Sequence, residues 1–240
     1  MKSVKWNDGW KFWPDKDAFA LVWNIPEHAR DVTLPHDAMI ENQAYAESPN
    51  MGNTGYRDGG NYTYVKMLHV DEADAGKKFV LRFDGVYSHA LVYVNEQLAG
   101  SEANGYATFY VNLTPLLHAG DNEVRVQVRN AGMTNSRWYS GSGIYRDVYL
   151  LTSGATYIEP DSMQVATECA EEDCAVLSVR TTVINETLNA RTLHLSTRIC
   201  RACGEGEAAG AETTAFFLKA GESRTLTQRI LVKKPALWSE

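Results

Sequence analysis

Apolar and polar residues alternate with a period of two along most of the chain, the pattern of strands with one buried face. In EVRVQVRN, Val124, Val126 and Val128 alternate with Arg125, Gln127 and Arg129 and predict a half-buried strand. FVLRFDGV places Phe79, Leu81 and Phe83 on one face, and ALVYVNEQLAG predicts a hairpin with Asn95 and Glu96 at its turn. VLSVRTTVIN and RTLHLSTRI repeat the alternation and predict an antiparallel pair turning about Thr187. No stretch carries the 3.6-residue period of a helix of three turns. LTPLLHAG predicts one turn at most, capped by Thr114 with Pro115 at its first position. The expected class is all-β, of sandwich type.

A change of composition at TSGATYIEP predicts a boundary there. Aromatics and glycines are dense before it; Thr, Ser, Ala and Leu dominate after it. The expected domains are 1–153, a larger sandwich, and 154–240, where about seven short strands suit an immunoglobulin-like sandwich. The 240 residues are 44% hydrophobic and 22% charged, as in ordinary globular chains. A formal charge of −7 argues against nucleic acid and anionic membranes as partners. No apolar run is long enough for a membrane span, and no signal peptide is visible at the start, so cytoplasmic and exported locations both stay open.

Three groups of residues could carry chemistry. His36 and Asp37 form a tempting dyad, but no nucleophile accompanies them. The expectation is that Asp37 caps nearby backbone N–H groups and that His36 fills the core edge. The four cysteines, Cys169, Cys174, Cys200 and Cys203, all lie in the last third. The hairpin expected about Thr187 would bring Cys174 and Cys200 to one end of their domain. Free thiols, one or two disulfides, or a tetrathiolate zinc site are the alternatives. Finally, SRWYSGSGIYRDV crowds aromatics, arginines and glycines before a strand. Gly141 and Gly143 there permit positive φ and close approach, Ile144 and Val148 would rejoin the core, and Arg146 would pair with Asp147 or Asp84. Trp138 and Tyr139 would plug the sandwich edge. The spacing of Trp6, Trp10 and Trp13 predicts a single clamp packed on the sandwich.

Five stretches in order resemble glycoside hydrolase family 2, the β-galactosidases, β-glucuronidases and β-mannosidases. These are VTLPHDAMI (32–40), GGNYTYVKMLHV (59–70), the block from Leu81 to Asn130, NSRWYSGSGIYRDVYL (135–150) and KKPALWSE (233–240). The resemblance implies a jelly-roll, galactose-binding-like β-sandwich followed by an immunoglobulin-like β-sandwich. It also implies that the two catalytic glutamates lie on a (β/α)8 barrel of roughly 250 residues that is not in this chain. The expectation is therefore an N-terminal, non-catalytic fragment of a retaining β-galactosidase-like enzyme, inactive alone. Its partners would be its own C-terminal barrel and a β-linked sugar, with no cofactor; whether the parent forms a homo-oligomer is open. The family's acid/base follows an asparagine, and two such pairs occur here, Asn95-Glu96 and Asn185-Glu186. Both fall at expected hairpin turns, where Asn is favoured for backbone reasons, so no catalytic residue is assigned.

The resemblance places two loops near the barrel mouth. The candidate sugar contacts are Asp58 and Asn61 from one, and Asn130, Asn135 and Arg137 from the other. Asn135 stands where several β-galactosidases carry Asp, so it brings no negative charge for a bound sodium ion. The family calls for no metal in the second domain, which leaves the cysteines a departure from its pattern. One rival reading is a stand-alone carbohydrate-binding module, which predicts exposed aromatics. The other is a ligand-free structural pair of sandwiches.

Overall fold

A computed structural model describes residues 1–15, 23–131, 138–200 and 208–238. The described residues form strands joined by loops and three short 3-10 turns, so the chain is all-β. Contacts divide it into two units, residues 2–152 and 153–240 (with Met1 counted in the second).

The first unit is an antiparallel two-sheet sandwich. One sheet orders β1 (Lys2–Lys5), β10 (Val148–Ser153), β5 (Lys78–Phe83) and β8 (Phe109–Asn112). The other orders β3 (Arg30–Val32), β2 (Trp10–Asp15), β4 (Asn61–Val70), β9 (Gly120–Arg129), β6 (Ala90–Val94) and β7 (Gln97–Glu102). Alternate residues of both sheets fill one core, with Leu81 and Phe83 meeting Val92, Val124 and Val126, all fully buried. Asn95 (φ 47°) and Glu96 (φ 68°) make the β6–β7 turn, as the sequence predicts. The Asn95 amide donates to Leu116 O at 3.0 Å and Asn122 Oδ1 at 2.8 Å, which ties the turn to a buried polar residue.

Strand β9 is not half-buried. Arg125 and Gln127, on the face opposite the valines, are buried as well. Arg125 lies with its guanidinium 5.4 Å from the Trp13 ring and 5.3 Å from the Trp23 ring, and its Nε donates to Glu123 Oε1 at 2.8 Å. Paired charge and aromatic cover make an arginine tolerable there. The same arrangement splits the expected tryptophan clamp. Trp10 joins the core and meets Trp6 edge-on at 5.1 Å, whereas Trp13 covers Arg125 on the other face.

Thr114 does not cap the turn at Thr114–Leu116. Its hydroxyl donates to Phe79 O at 3.2 Å and accepts from Phe79 N–H at 2.9 Å, stitching the turn to β5. Arg146 pairs with neither expected carboxylate: it donates to the Asp84 carbonyl at 3.4 Å and lies over the Tyr145 ring. Asp84 and Asp147 are engaged by Arg82 and Lys5, each at 2.8 Å.

In the second unit, β13 (Cys174–Asn185) pairs with β11 (Thr156–Ile158), β12 (Gln164–Ala170) and β16 (Ser223–Lys233). The second sheet pairs β14 (Arg191–Ile199) with β15 (Gly210–Leu218). Six strands are present among the described residues, and the two sheets share Val183, Leu195, Phe216 and Leu218 as an immunoglobulin-like core. The expected β13–β14 hairpin does not form, because the chain crosses between sheets at this point. Asn185, fully buried, organises the crossing: its amide donates to the carbonyls of Asn189 and Lys219, each at 2.9 Å, and its Oδ1 accepts from Thr187 Oγ1 at 2.7 Å. Alternation alone does not distinguish a hairpin from an arch between sheets, because both keep the same residues inward.

Candidate functional site

The site grows from one end of the first unit, where the segment 36–62 meets 138–143. Asp37 joins them. Its Oδ1 accepts backbone N–H groups from Met39 at 3.0 Å and Ser142 at 2.9 Å, and its Oδ2 accepts the Tyr139 hydroxyl at 2.7 Å. The local cap expected from the sequence is the first of these; the other two bridge more than a hundred residues. Gly141 (φ +72°) and Gly143 (φ +119°) let the second segment run close beside the first, for a Cβ on Gly143 would lie 2.4 Å from the Tyr64 hydroxyl oxygen. Burial, then the bond to Asp37, raises the Tyr139 phenol well above its ordinary pKa, so it stays a neutral donor.

His36 packs edge-on against Phe12 at 4.6 Å, as expected of a core-edge residue. Its Nδ1 shares a hydrogen bond with the Tyr64 hydroxyl at 2.8 Å and its Nε2 with Glu41 Oε1 at 3.1 Å. Arg30 also grips Glu41, and that bond is the main cause holding the carboxyl below its ordinary pKa. The dyad is thus two separate anchors.

The candidate sugar contacts are placed as follows. Asp58 accepts from the Ser48 hydroxyl at 2.8 Å and the Tyr45 hydroxyl, so its carboxylate closes the 45–58 loop. Its carbonyl accepts from Asn42 Nδ2 at 2.8 Å, and the same amide reaches the Tyr62 hydroxyl at 3.2 Å. Asn61 opens β4, opposite Arg129 of β9. Asn130 is buried; its N–H donates to Gly60 O at 3.0 Å and its side-chain amide to Gly141 O at 3.4 Å. Asp58, Asn61 and Asn130 therefore occur where the two loops leave the sheet, and the first and last are built into the loop framework. Asn135 and Arg137 lie outside the described residues.

Trp138 and Tyr139 do not plug the sandwich edge. Trp138 is 59% exposed, and its indole N–H donates to the Tyr106 hydroxyl at 3.2 Å. Tyr106, itself 48% exposed, was not marked by the sequence pattern, because it sits in a loop whose partner is distant in the chain. The site surface thus combines an acid–phenol pair with exposed aromatic side chains, groups suited to hydroxyls and to an apolar C–H face respectively.

Cys169 and Cys200 are exposed free thiols and Cys174 is a partly buried one; Cys203 lies outside the described residues. Among the described residues no three His, Cys, Asp or Glu side chains come together as metal ligands. The zinc alternative therefore has no three described sulfurs that converge.

Residues 37–154 match the family model described as glycosyl hydrolases family 2, sugar binding domain. The chain is similar to Beta-galactosidase BoGH2A of Bacteroides ovatus, 37% identical over 87% of this chain and 24% of that protein. It is also similar to a beta-glucuronidase of Bacteroides fragilis, 30% identical over 99% of this chain and 33% of that protein. A solved structure of a glycosyl hydrolase family 2 member from Bacteroides cellulosilyticus superposes with a TM-score of 0.92 at 27% identity, covering 100% of this chain and 32% of that one. The chain thus spans a quarter to a third of the length of these relatives.

Proposed function

Because the chain belongs to glycosyl hydrolase family 2, through its sugar-binding domain, we propose that it serves as the N-terminal, non-catalytic part of a retaining β-galactosidase-like enzyme. In such an enzyme two carboxyls about 5 Å apart act as acid/base and nucleophile through a covalent glycosyl intermediate. Here they would lie on a barrel that this chain braces and to whose sugar pocket it lends loops. The match of 37–154 to the sugar-binding domain, within a chain covering a quarter of its β-galactosidase relative, carries the reading. The higher identity to the β-galactosidase than to the β-glucuronidase favours β-galactosides as substrates. The Asn-Glu pairs support a non-catalytic role: Asn95 holds a tight turn and Asn185 a crossing between sheets.

Two assays test this. The chain should release no chromophore from aryl β-galactosides or β-glucuronides; turnover would overturn the reading. Galactose should leave the amide resonances of Asp58, Asn61 and Asn130 unmoved, since the barrel would complete their pocket. Saturable shifts there would favour the second reading, a stand-alone carbohydrate-binding module, for which the exposure of Trp138 and Tyr106 speaks.

A further inference from the structure

The exposed aromatics of the first unit are not equivalent. Trp138 is held from two directions while a large part of its surface stays open. Its N–H is bonded to Tyr106, and the next residue, Tyr139, is bonded to Asp37. Tyr106 is supported in turn. Its ring meets Tyr87 edge-on at 5.3 Å, and its N–H donates to Asn104 Oδ1 at 2.9 Å. Beneath it, the Gly105 carbonyl accepts the Tyr145 hydroxyl at 2.8 Å, and a Cβ on Gly105 would strike the Tyr87 ring at 2.1 Å. Tyr87 is buried and bridges Gly143 through two backbone bonds of 3.0 and 2.9 Å. The open rings therefore rest on the sandwich itself.

A tryptophan filling space would be buried, and a loop needing only solubility would carry a polar residue. Oriented aromatic area, left open beside a few convergent polar groups, is the composition of a small-ligand site. Both aromatic residues fall inside the segment matched to a sugar-binding domain. We propose that Trp138 and Tyr106 form a platform that binds the C–H face of a pyranoside ring, with the Asp37–Tyr139 pair beside it available to ring hydroxyls. The proposal rests on the family reading above, but it places binding on groups other than Asp58, Asn61 and Asn130.

The test follows the Trp138 indole N–H resonance of the whole chain during titration with methyl β-galactopyranoside and lactose. A saturable shift is expected, with a dissociation constant in the millimolar range. Trp138→Ala should abolish binding. Tyr106→Phe, which keeps the ring but removes the acceptor that orients the indole, should weaken it about three- to tenfold. A resonance unmoved by either sugar at about 100 mM overturns the platform, as does binding that survives Trp138→Ala in a chain with an otherwise native spectrum. Silence at Trp138 together with absent turnover would remove the platform and leave the scaffold reading standing. Turnover of an aryl glycoside would defeat the scaffold reading whatever Trp138 does.

Discussion

Replacing Asp37 by alanine removes one side chain and breaks three hydrogen bonds at once. The lost bonds are those from Met39 N–H, Ser142 N–H and the Tyr139 hydroxyl. A hydrogen bond to an ionised acceptor contributes about 1.5–3 kcal/mol when well shielded. Asp37 is half-buried, so water screens it and replaces part of each bond. Three bonds at the low end of that range would give about 4.5 kcal/mol, and screening by water brings the loss in the first unit to about 3 kcal/mol. Asp37→Asn keeps a carbonyl for the two backbone donors and loses mainly the charge, for about 1 kcal/mol. Urea unfolding read by tryptophan fluorescence suits this measurement, because five of the six tryptophans belong to the first unit. With a slope of about 1.5–2 kcal/mol per molar urea, the alanine midpoint should fall by roughly 1.5–2 M. A midpoint within about 0.3 M of the parent would refute the view that Asp37 fastens the two segments, as would an asparagine variant as damaged as the alanine one.

Acid should loosen the other anchor. Glu41 is held below its ordinary value of 4.5, chiefly by its bond to Arg30, so its contribution is present above that value and is lost as pH falls through the lower, folded one. The urea midpoint of the first unit should therefore drop more between pH 6 and pH 3 in the parent than in Glu41→Gln; equal drops would show that the Arg30 contact adds nothing. In the second unit, Asn185→Ala should cost about 2–3 kcal/mol, since it strands the carbonyls of Asn189 and Lys219 at the crossing. Glu186→Ala, which loses the exposed bond from the Tyr157 hydroxyl, should cost less, about 0.5–1 kcal/mol. Thermal melts followed by far-ultraviolet circular dichroism compare the two, and equal losses would contradict the assignment of Asn185 as the organiser.

How much of this could be read in the chain depends on how far apart the interacting residues are. The strands, the turn at Asn95 and Glu96, and the core faces of β5 and β9 were legible, because side-chain alternation and turn preference are set by the nearest neighbours. The motif around His36 and Asp37 marked the family, and its local cap onto Met39 followed from the same short range. The cover over Arg125 was not legible. It comes from Trp13 and Trp23, far away in sequence, and alternation reads a charged residue as solvent-facing. The crossing at Asn185 is not legible for a related reason: two alternating runs and a polar link are written alike whether they pair or face each other across a core. The site was decided almost wholly by tertiary structure. Asp37 meets Ser142 and Tyr106 meets Trp138 only because two sheets close on each other and bring their loops to one end. The chain itself determined the alternation, the turns and the family motifs, all of which act over a few residues. Which carboxylate became a fastener, and which tryptophan stayed open, was settled by neighbours that folding alone supplied.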